Sequence, residues 1–372
     1  MSIVCYNCNK DNDTNDGYVG DNMEHYDGTK LLSLRDINGK QPEIYICTTN
    51  RTGGKTTYFN RLLFNRFVKT QAKFMLVYRF NYELDDVAEK FFKDIQGLFF
   101  PEWCLESKRK ARGVYYELYA YLRNDPDIKY LCGYAVSLNN ADQFKKYSHL
   151  FSDTQCMLMD EFQSETNHYC PNEVAKLMSL HTSVARGQGK AVRYVPVYLI
   201  GNPVSIINPY YVALGISARL RSDTKFMKGD GYVVEQGYVE SVDSAQEESG
   251  FNRAFAGETY SAYSAQGVYL NDNHAFIDKP NGRARYLGTI KYNGKEFALR
   301  EYAELGIIYC DGRPDATYPF KLAVTTDDHN VNYVMLKRND LFVQNMRYFF
   351  ERGAFRFKDL QCKEAVMKMV SY

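Results

Sequence analysis

Three stretches of the chain hold residue types that together do phosphoryl chemistry. The first is Thr49-Asn50-Arg51-Thr52-Gly53-Gly54-Lys55-Thr56-Thr57. It fits the phosphate-binding pattern G-x-x-x-x-G-K-[ST] at Gly54, Lys55 and Thr56, with Thr49 where the pattern has its first glycine. In such a loop the backbone N–H groups curl around one point, the lysine reaches the outer phosphates, and the Ser/Thr hydroxyl is a ligand of Mg2+. The second stretch is apolar from residue 154 and ends in Asp160-Glu161. There Asp160 is placed to hold Mg2+ through water and Glu161 to orient and polarise the attacking water. The third runs from residue 195 to Gly201-Asn202 and puts a polar side chain where a γ-phosphate is sensed. The chemistry implied is hydrolysis of ATP with Mg2+.

These residues need a rigid frame. Residues 44–47, 73–79, 154–159 and 195–201 are short apolar runs, the pattern of strands buried in a parallel sheet. Between them the helical periodicity recurs at 56–68, 84–98 and 172–186, the last with Val174, Leu177, Met178, Leu180 and Val184 as its apolar face. Alternating strands and helices predict an α/β fold, with the strand tips converging on a ligand crevice.

Composition sets the outer limits. The 372 residues are 45% hydrophobic and 24% charged, ordinary for a globular chain and long enough for two or three domains. Net charge is +1, so any polyanion must meet a local patch or a ring of subunits. No apolar stretch is long enough to span a bilayer, and Met1-Ser2-Ile3-Val4-Cys5-Tyr6 lacks the regions of a signal peptide. Nine scattered cysteines fit reduced thiols. Cys5 and Cys8 form one C-x-x-C with no second pair nearby, so a flexible tail competes with a metal site there. Residues 1–30 read as an irregular lead-in, within which Tyr26 is either a base-stacking group or a surface tyrosine. Lys108, Arg109, Lys110 and Arg112 lie among aromatics and are either a nucleic-acid contact or a solvated loop.

In this order, the loop, the Asp-Glu strand and the Gly-Asn strand resemble the DNA-encapsidation ATPases of small podoviruses, relatives of the large terminase subunits. Several segments carry the resemblance: Arg51 inside the loop, residues 158–162, 170–174 and 182–186, residues 201–211, Thr325-Thr326-Asp327-Asp328 and residues 353–357. It runs nearly end to end. It implies that Lys55 and Thr56 bind phosphates and Mg2+, that Asp160 coordinates Mg2+, that Glu161 is the catalytic glutamate, and that Asn202 belongs to a coupling motif. Arg186 falls where the family places an arginine finger donated to the neighbouring subunit, with Arg193 as its rival and a helix-capping arginine as the plain alternative. Arg51 acts on the same phosphates in cis or links to Glu161.

A polar stretch from residue 241 reads as a linker, giving an ATPase domain over 1–240, a linker region over 241–276 and a smaller domain over 277–372. Residues 285–311 look like a three-stranded meander with Asn293-Gly294 as a hairpin turn. A fourth strand at 321–325 and helices at 341–352 and 360–370 complete an RNase H-like α+β pattern, the terminase nuclease fold. A two-metal nuclease needs an inward acid on the first strand. Thr289, Lys291 and Asn293 stand on one face there and Tyr292 on the other, leaving only Asp311, Asp327 and Asp328 nearby. The domain therefore reads as a degenerate nuclease kept for binding.

The expectation is an ATP-driven motor that moves double-stranded viral DNA into a preformed procapsid. The resemblance implies a homomeric ring, taken as pentameric, at the portal vertex in the host cytoplasm, absent from the mature virion, with a packaging RNA in some relatives and no membrane. Two other readings stay open: a nucleotide-regulated scaffold that binds nucleic acid, and a terminase with an active nuclease.

Overall fold

The computed structural model describes residues 25–166, 168–187, 189, 191–217, 219–220, 224–237, 250–254, 279–337 and 340–370. Cys5, Cys8, the lead-in up to residue 24 and most of the 241–276 segment lie outside the described residues.

The first sheet has nine strands: β1 (Ile44–Thr48), β2 (Lys73–Tyr78), β3 (Trp103–Lys110), β4 (Tyr115–Leu122), β5 (Asp125–Ser137), β6 (Thr154–Met159), β7 (Val197–Gly201), β8 (Phe226–Gly229) and β9 (Tyr232–Gln236). They lie side by side as β3-β4-β5-β2-β6-β7-β1-β9-β8. From β5 to β9 every neighbouring pair is parallel, and the two edges are antiparallel. The position of β7 between β1 and β6 matters most. It sets the Asn202 tip between the phosphate loop and the Asp160-Glu161 turn.

The helices of this half are α1 (Thr29–Ser33), α2 (Lys55–Thr70), α3 (Val87–Phe99), α4 (Ala141–Phe144), α5 (Glu173–Val184) and α6 (Pro209–Ala213). Strand side chains alternate between two cores, as a two-residue period requires. Tyr45, Cys47, Phe74, Leu76, Cys156, Leu158, Tyr198 and Ile200 meet α2 and α3 on one face. Ile46, Met75, Val77, Met157, Met159, Val197 and Leu199 meet α5 and α6 on the other. The result is a three-layer sandwich in which the central strands are buried on both faces. Phe59, Leu63, Phe64 and Phe67 form the buried stripe of α2. That helix ends at Gln71, whose left-handed backbone (φ 60°) lets its N–H close on Phe67 O.

Two expectations change here. The stretch from Lys108 to Lys110 is a strand rather than a loop, with part of its charge paired, while Arg109 and the exposed Arg112 take no part in these ion pairs. It belongs to edge strand β3, where Glu106 faces Lys108 and Lys129, and Lys110 pairs with Glu117 at 3.0 Å. Met178 leaves the apolar face of α5 and is exposed, because its neighbour Leu177 takes the inward position. Met178, Thr182 and Arg186 instead follow one another at four-residue steps along the outer side.

After a short helix α7 (Gly250–Ala254), the second sheet runs β10 (Arg285–Tyr292), β11 (Lys295–Tyr302), β12 (Ile307–Asp311), β13 (Lys321–Ala323), β14 (Val334–Met335) and β15 (Phe355–Phe357). Its order is β14-β13-β10-β11-β12-β15. The meander β10-β11-β12 is antiparallel and β13 joins β10 in parallel, as an RNase H-like sheet does. Asn293 and Gly294 both have positive φ, 48° and 75°, which suits the tight turn between β10 and β11. Helices α8 (Leu341–Glu351) and α9 (Leu360–Val370) cover one face, packing on Ile290, Leu299 and Cys310. Tyr169 and Ile207 from the first half enter this same core, and the buried Lys363 Nζ donates to Ser205 Oγ at 3.3 Å. The two halves thus touch directly behind the loop that follows Asn202.

Candidate active site

β1 ends at Thr48 and the chain turns through Thr49, Asn50, Arg51, Thr52 and Gly53 to Gly54, which opens α2 with φ 86°. Thr49 stays outside the left-handed region, so the position where the motif has glycine needs none here, and its hydroxyl donates to Asn50 O at 3.0 Å. Lys55, the first residue of α2, is buried, and its Nζ donates to Asn202 Oδ1 at 2.6 Å. Thr56 Oγ1 donates to Asp160 Oδ2 at 2.9 Å. Two hydrogen bonds therefore join the tips of β1, β6 and β7 at the N-terminus of a helix whose dipole favours an anion. Thr57 follows within the first turn of α2.

Lys55 is buried, Asp160 half-buried and Glu161 exposed at the cleft, and their charges act on one another. Burial pushes the Asp160 carboxyl up, while Lys55 and the Thr56 hydroxyl hold it down. Burial pushes the Lys55 ammonium down, against the pull of Asp160. Glu161 is pushed up by desolvation and by the neighbouring carboxylates Asp160 and Glu165. Its backbone is left-handed (φ 52°), and its N–H donates to Asp160 Oδ1 at 2.8 Å. That geometry turns the chain sharply after β6, so that Asp160 and Glu161 point differently. The hard oxygen donors of Thr56 and Asp160, already in contact, suit Mg2+ beside a phosphate-binding loop.

A polar cleft opens beside this point, lined by Arg51, Arg79, Glu161, Gln163, Glu165 and Asn202. Arg51 forms an ion pair with Glu165, four residues beyond Glu161. Gln163 Oε1 accepts the N–H groups of Val204 (3.1 Å) and Ser205 (2.8 Å), tying the Asp-Glu turn to the loop after Asn202.

Comparison with known proteins decides the family. The model of the Podovirus DNA encapsidation protein (Gp16) family matches residues 21–371. The chain belongs to that family. Among curated relatives, it is similar to the DNA packaging protein of Bacillus phage phi29, 26% identical over 297 residues, covering 79% of this chain and 82% of the relative. It is also similar to that of Bacillus phage B103, 24% identical over 310 residues, covering 82% and 89%. Among solved structures, it shares the fold of a chain of the phi29 genome packaging motor assembly, with TM-score 0.51 at 22% identity over 93% of this chain and 99% of that one. The phi28 gp11 packaging motor gives TM-score 0.55 at 16% identity over 94% and 97%.

In this encapsidation protein the two candidate arginines separate clearly. Arg193 is buried, with its guanidinium donating to Thr154 O (3.1 Å) and Val184 O (2.7 Å), so it fastens α5 to β6 and is not free to reach another subunit. Arg186 lies exposed just past the end of α5, and Nε donates to Thr182 O at 3.1 Å. Neither enters its own chain's phosphate site. Tyr26 is neither a base platform nor a surface residue. It is buried against Phe59, its N–H donates to Gly53 O (2.8 Å) and its hydroxyl to Glu235 Oε2 (2.7 Å), so it braces the phosphate loop from behind.

Sequence reasoning missed Arg79, Gln163, Glu165 and Glu173 as parts of the site. Arg79 and Glu173 form a buried ion pair at 2.9 Å, and removing either partner costs about 3–5 kcal/mol by stranding a charge. The only hint in the sequence was an arginine closing a buried strand.

Two of the three candidate acids of the second half, Asp311 and Asp328, are already engaged. Asp311 Oδ2 accepts from Arg300 Nε at 3.0 Å, and Asp328 accepts from Thr325 Oγ1 (2.5 Å) and Gly294 N–H (2.8 Å). Asp327 is exposed. Thr289 hydrogen-bonds the Tyr286 hydroxyl at 2.6 Å, while Tyr292 turns the other way to reach Glu364 on the helical side.

Proposed function

We propose that this encapsidation protein is an ATP-hydrolysing motor subunit that drives double-stranded viral DNA into a procapsid. The observation that supports the reading is the pair of hydrogen bonds Lys55–Asn202 and Thr56–Asp160, which bring these four side chains together beside Glu161. Lys55 and the loop N–H groups of Asn50, Arg51, Thr52, Gly53 and Gly54 bind the phosphates, with Thr49 and Thr57 flanking. Thr56 and Asp160 would hold Mg2+, which would neutralise phosphate charge when bound. Glu161 takes up the proton of the attacking water. Asn202 is bonded to the phosphate-binding lysine, so its partner changes when Lys55 turns to a phosphate; the Val204–Gln163 bond carries that change to the Asp-Glu turn, and the Ser205–Lys363 bond carries it toward the second sheet.

Arg186, outside its own site, is assigned to the neighbouring subunit's nucleotide in a homomeric ring. Such a ring at the portal would meet DNA phosphates electrostatically. Five subunits, a packaging RNA, a transient stay on the procapsid in the host cytoplasm, and a division of the chain near residues 240 and 277 belong to this proposal. The engagement of Asp311 and Asp328 with Arg300, Thr325 and Gly294 supports a second domain without nuclease chemistry. The test is Glu161→Gln in the full chain. It should bind ATP with wild-type affinity and hydrolyse at least about a hundredfold more slowly. Undiminished turnover would remove Glu161 from its role.

A further inference from the structure

The cleft beside Glu161 and Asn202 has an aromatic outer wall, made by Phe80, Tyr82 and His168, that hydrolysis itself does not use. The Tyr82 ring stacks on Phe80, with centroids 5.5 Å and planes 13° apart, and the His168 ring lies against Phe80 at 4.6 Å. Phe80 is half-buried on the core, but Tyr82 is 66% exposed. The wall is held firmly. Phe80 N–H donates to Glu83 Oε2 at 2.5 Å, Glu83 N–H donates to Phe80 O at 3.2 Å, and the Asn81 side chain bonds Asn140 and Ser137. Glu83 and Glu161 line the same cleft. Among the described residues neither is in an ion pair, since the cleft's Arg51 and Arg79 pair with Glu165 and Glu173.

The same chain carries a surface of matching chemistry elsewhere. Met178, Thr182 and Arg186 form an exposed stripe along α5, with Met178 65% exposed. Thr182 Oγ1 donates to Met178 O and Arg186 Nε to Thr182 O, which keeps the stripe in line. Arg186 has no acidic partner among the described residues. Met178 and Arg186 stand two helical turns apart, about 12 Å. A thioether is favoured against an aromatic ring, and a guanidinium beside carboxylates and ring faces. The stripe points outward and Arg186 stays outside its own site, so wall and stripe meet only between subunits. Such a contact is head-to-tail, the kind that closes rings.

We propose that the wall of Phe80, Tyr82 and His168 is the docking surface for a second copy of this chain: the neighbouring subunit's Met178 rests on the open face of Tyr82, and its Arg186 passes along Glu83 toward Glu161. The proposal rests on the trans role given above to Arg186 and adds the surface that receives it. Tyr82 and Met178 anchor the contact and touch no reacting atom. Their removal weakens association and leaves the chemistry of a completed site as it was.

The test follows ATP turnover per subunit of the full chain as subunit concentration rises. Tyr82→Ala and Met178→Ala should each raise the half-saturating concentration by at least about fivefold. Turnover at saturation should stay within about twofold of wild type, and Tyr82→Phe, which keeps the ring, should match wild type. A smaller shift in either alanine variant overturns the proposal. Mixing at the wild-type half-saturating concentration gives the direction. Glu161→Gln subunits lend Arg186 to Arg186→Ala subunits. That restoration should fall when Tyr82→Ala is added to the Arg186→Ala subunit and persist when it is added to the Glu161→Gln subunit, and Met178→Ala should do the reverse. Equal loss from either side overturns the docking. A benzophenone side chain at position 82 gives a readout that needs no hydrolysis. Illumination should cross-link it to the neighbouring subunit's segment around Met178. Cross-linking to another surface, or none between subunits, overturns the proposal. If Glu161→Gln restores nothing while this cross-link forms, the trans role of Arg186 falls and the docking stands. Weaker binding of double-stranded DNA by Tyr82→Ala, with concentration dependence unchanged, would make the wall a nucleic-acid contact and overturn the proposal.

Discussion

Lys55 Nζ and Asn202 Oδ1 lie 2.6 Å apart, joining the phosphate loop after β1 to the tip of β7. Sheet order makes this contact: β7 is the immediate neighbour of β1, paired in register from Ile44–Val197 to Thr48–Gly201. On the proposed reading, a nucleotide phosphate and Asn202 would compete for one ammonium group. Asn202→Ala should keep ATP affinity within about threefold, since Lys55 is freed rather than lost. Turnover should fall by about tenfold or more. Equilibrium binding of a fluorescent ATP analogue beside steady-state hydrolysis checks the split.

The Thr56–Asp160 pair predicts a metal-dependent loss. Thr56→Ala and Asp160→Asn should weaken binding of ATP with Mg2+ by about tenfold, some 1.4 kcal/mol. Each should bind ATP in EDTA much as the wild type does. Titrations with and without the metal decide it.

Arg193 and Arg186 should separate stability from turnover. Arg193→Ala strands the Thr154 and Val184 carbonyls in the core and should cost about 2–3 kcal/mol in thermal or denaturant unfolding. Arg186→Ala, at an exposed position, should leave unfolding within about 0.5 kcal/mol of wild type. It should still abolish turnover that a Glu161→Gln partner restores.

Asp328 supplies a pH signature. Burial pushes its carboxyl up, but the Thr325 hydroxyl and the Gly294 and Asn293 N–H groups outweigh it and hold the group below the usual range. A depressed folded value means stability that is present above the unfolded value of about 4 and lost as pH falls through the folded one. Wild-type unfolding midpoints should drop on acidification below about pH 4 more steeply than those of Asp328→Asn. The same protein, incubated with plasmid and Mn2+ or Mg2+, should leave the DNA uncut. Cleavage lost on substituting Asp311 or Asp328 would show a working nuclease.

Much of the site was legible in the sequence because its residues sit at the ends of uninterrupted apolar runs. Gly54-Lys55-Thr56, Asp160-Glu161 and Asn202 each follow a strand buried on both faces, and a buried strand has few other ways to look. The partners of those residues were not legible. Arg51 pairs with Glu165 and Arg79 with Glu173 across loops whose course depends on tertiary packing. An arginine closing a strand reads the same whether it is solvated or buried. The basic run around Lys108 was half legible for a related reason, since Glu106 and Glu117 meet Lys108 and Lys110 only once β3, β4 and β5 are in register. Met178 misled through the period itself: next to Leu177, it is about 100° around the helix and faces outward.

The central claim is that ATP is hydrolysed at Glu161 by subunits that complete one another's sites on DNA. The most direct measurement is steady-state ATP turnover per subunit of the purified full chain, with and without double-stranded DNA, as subunit concentration is raised. Turnover that rises with both, and is absent from Glu161→Gln throughout, is the predicted result. Turnover per subunit that stays constant with concentration and DNA, or that persists in Glu161→Gln, would contradict the account.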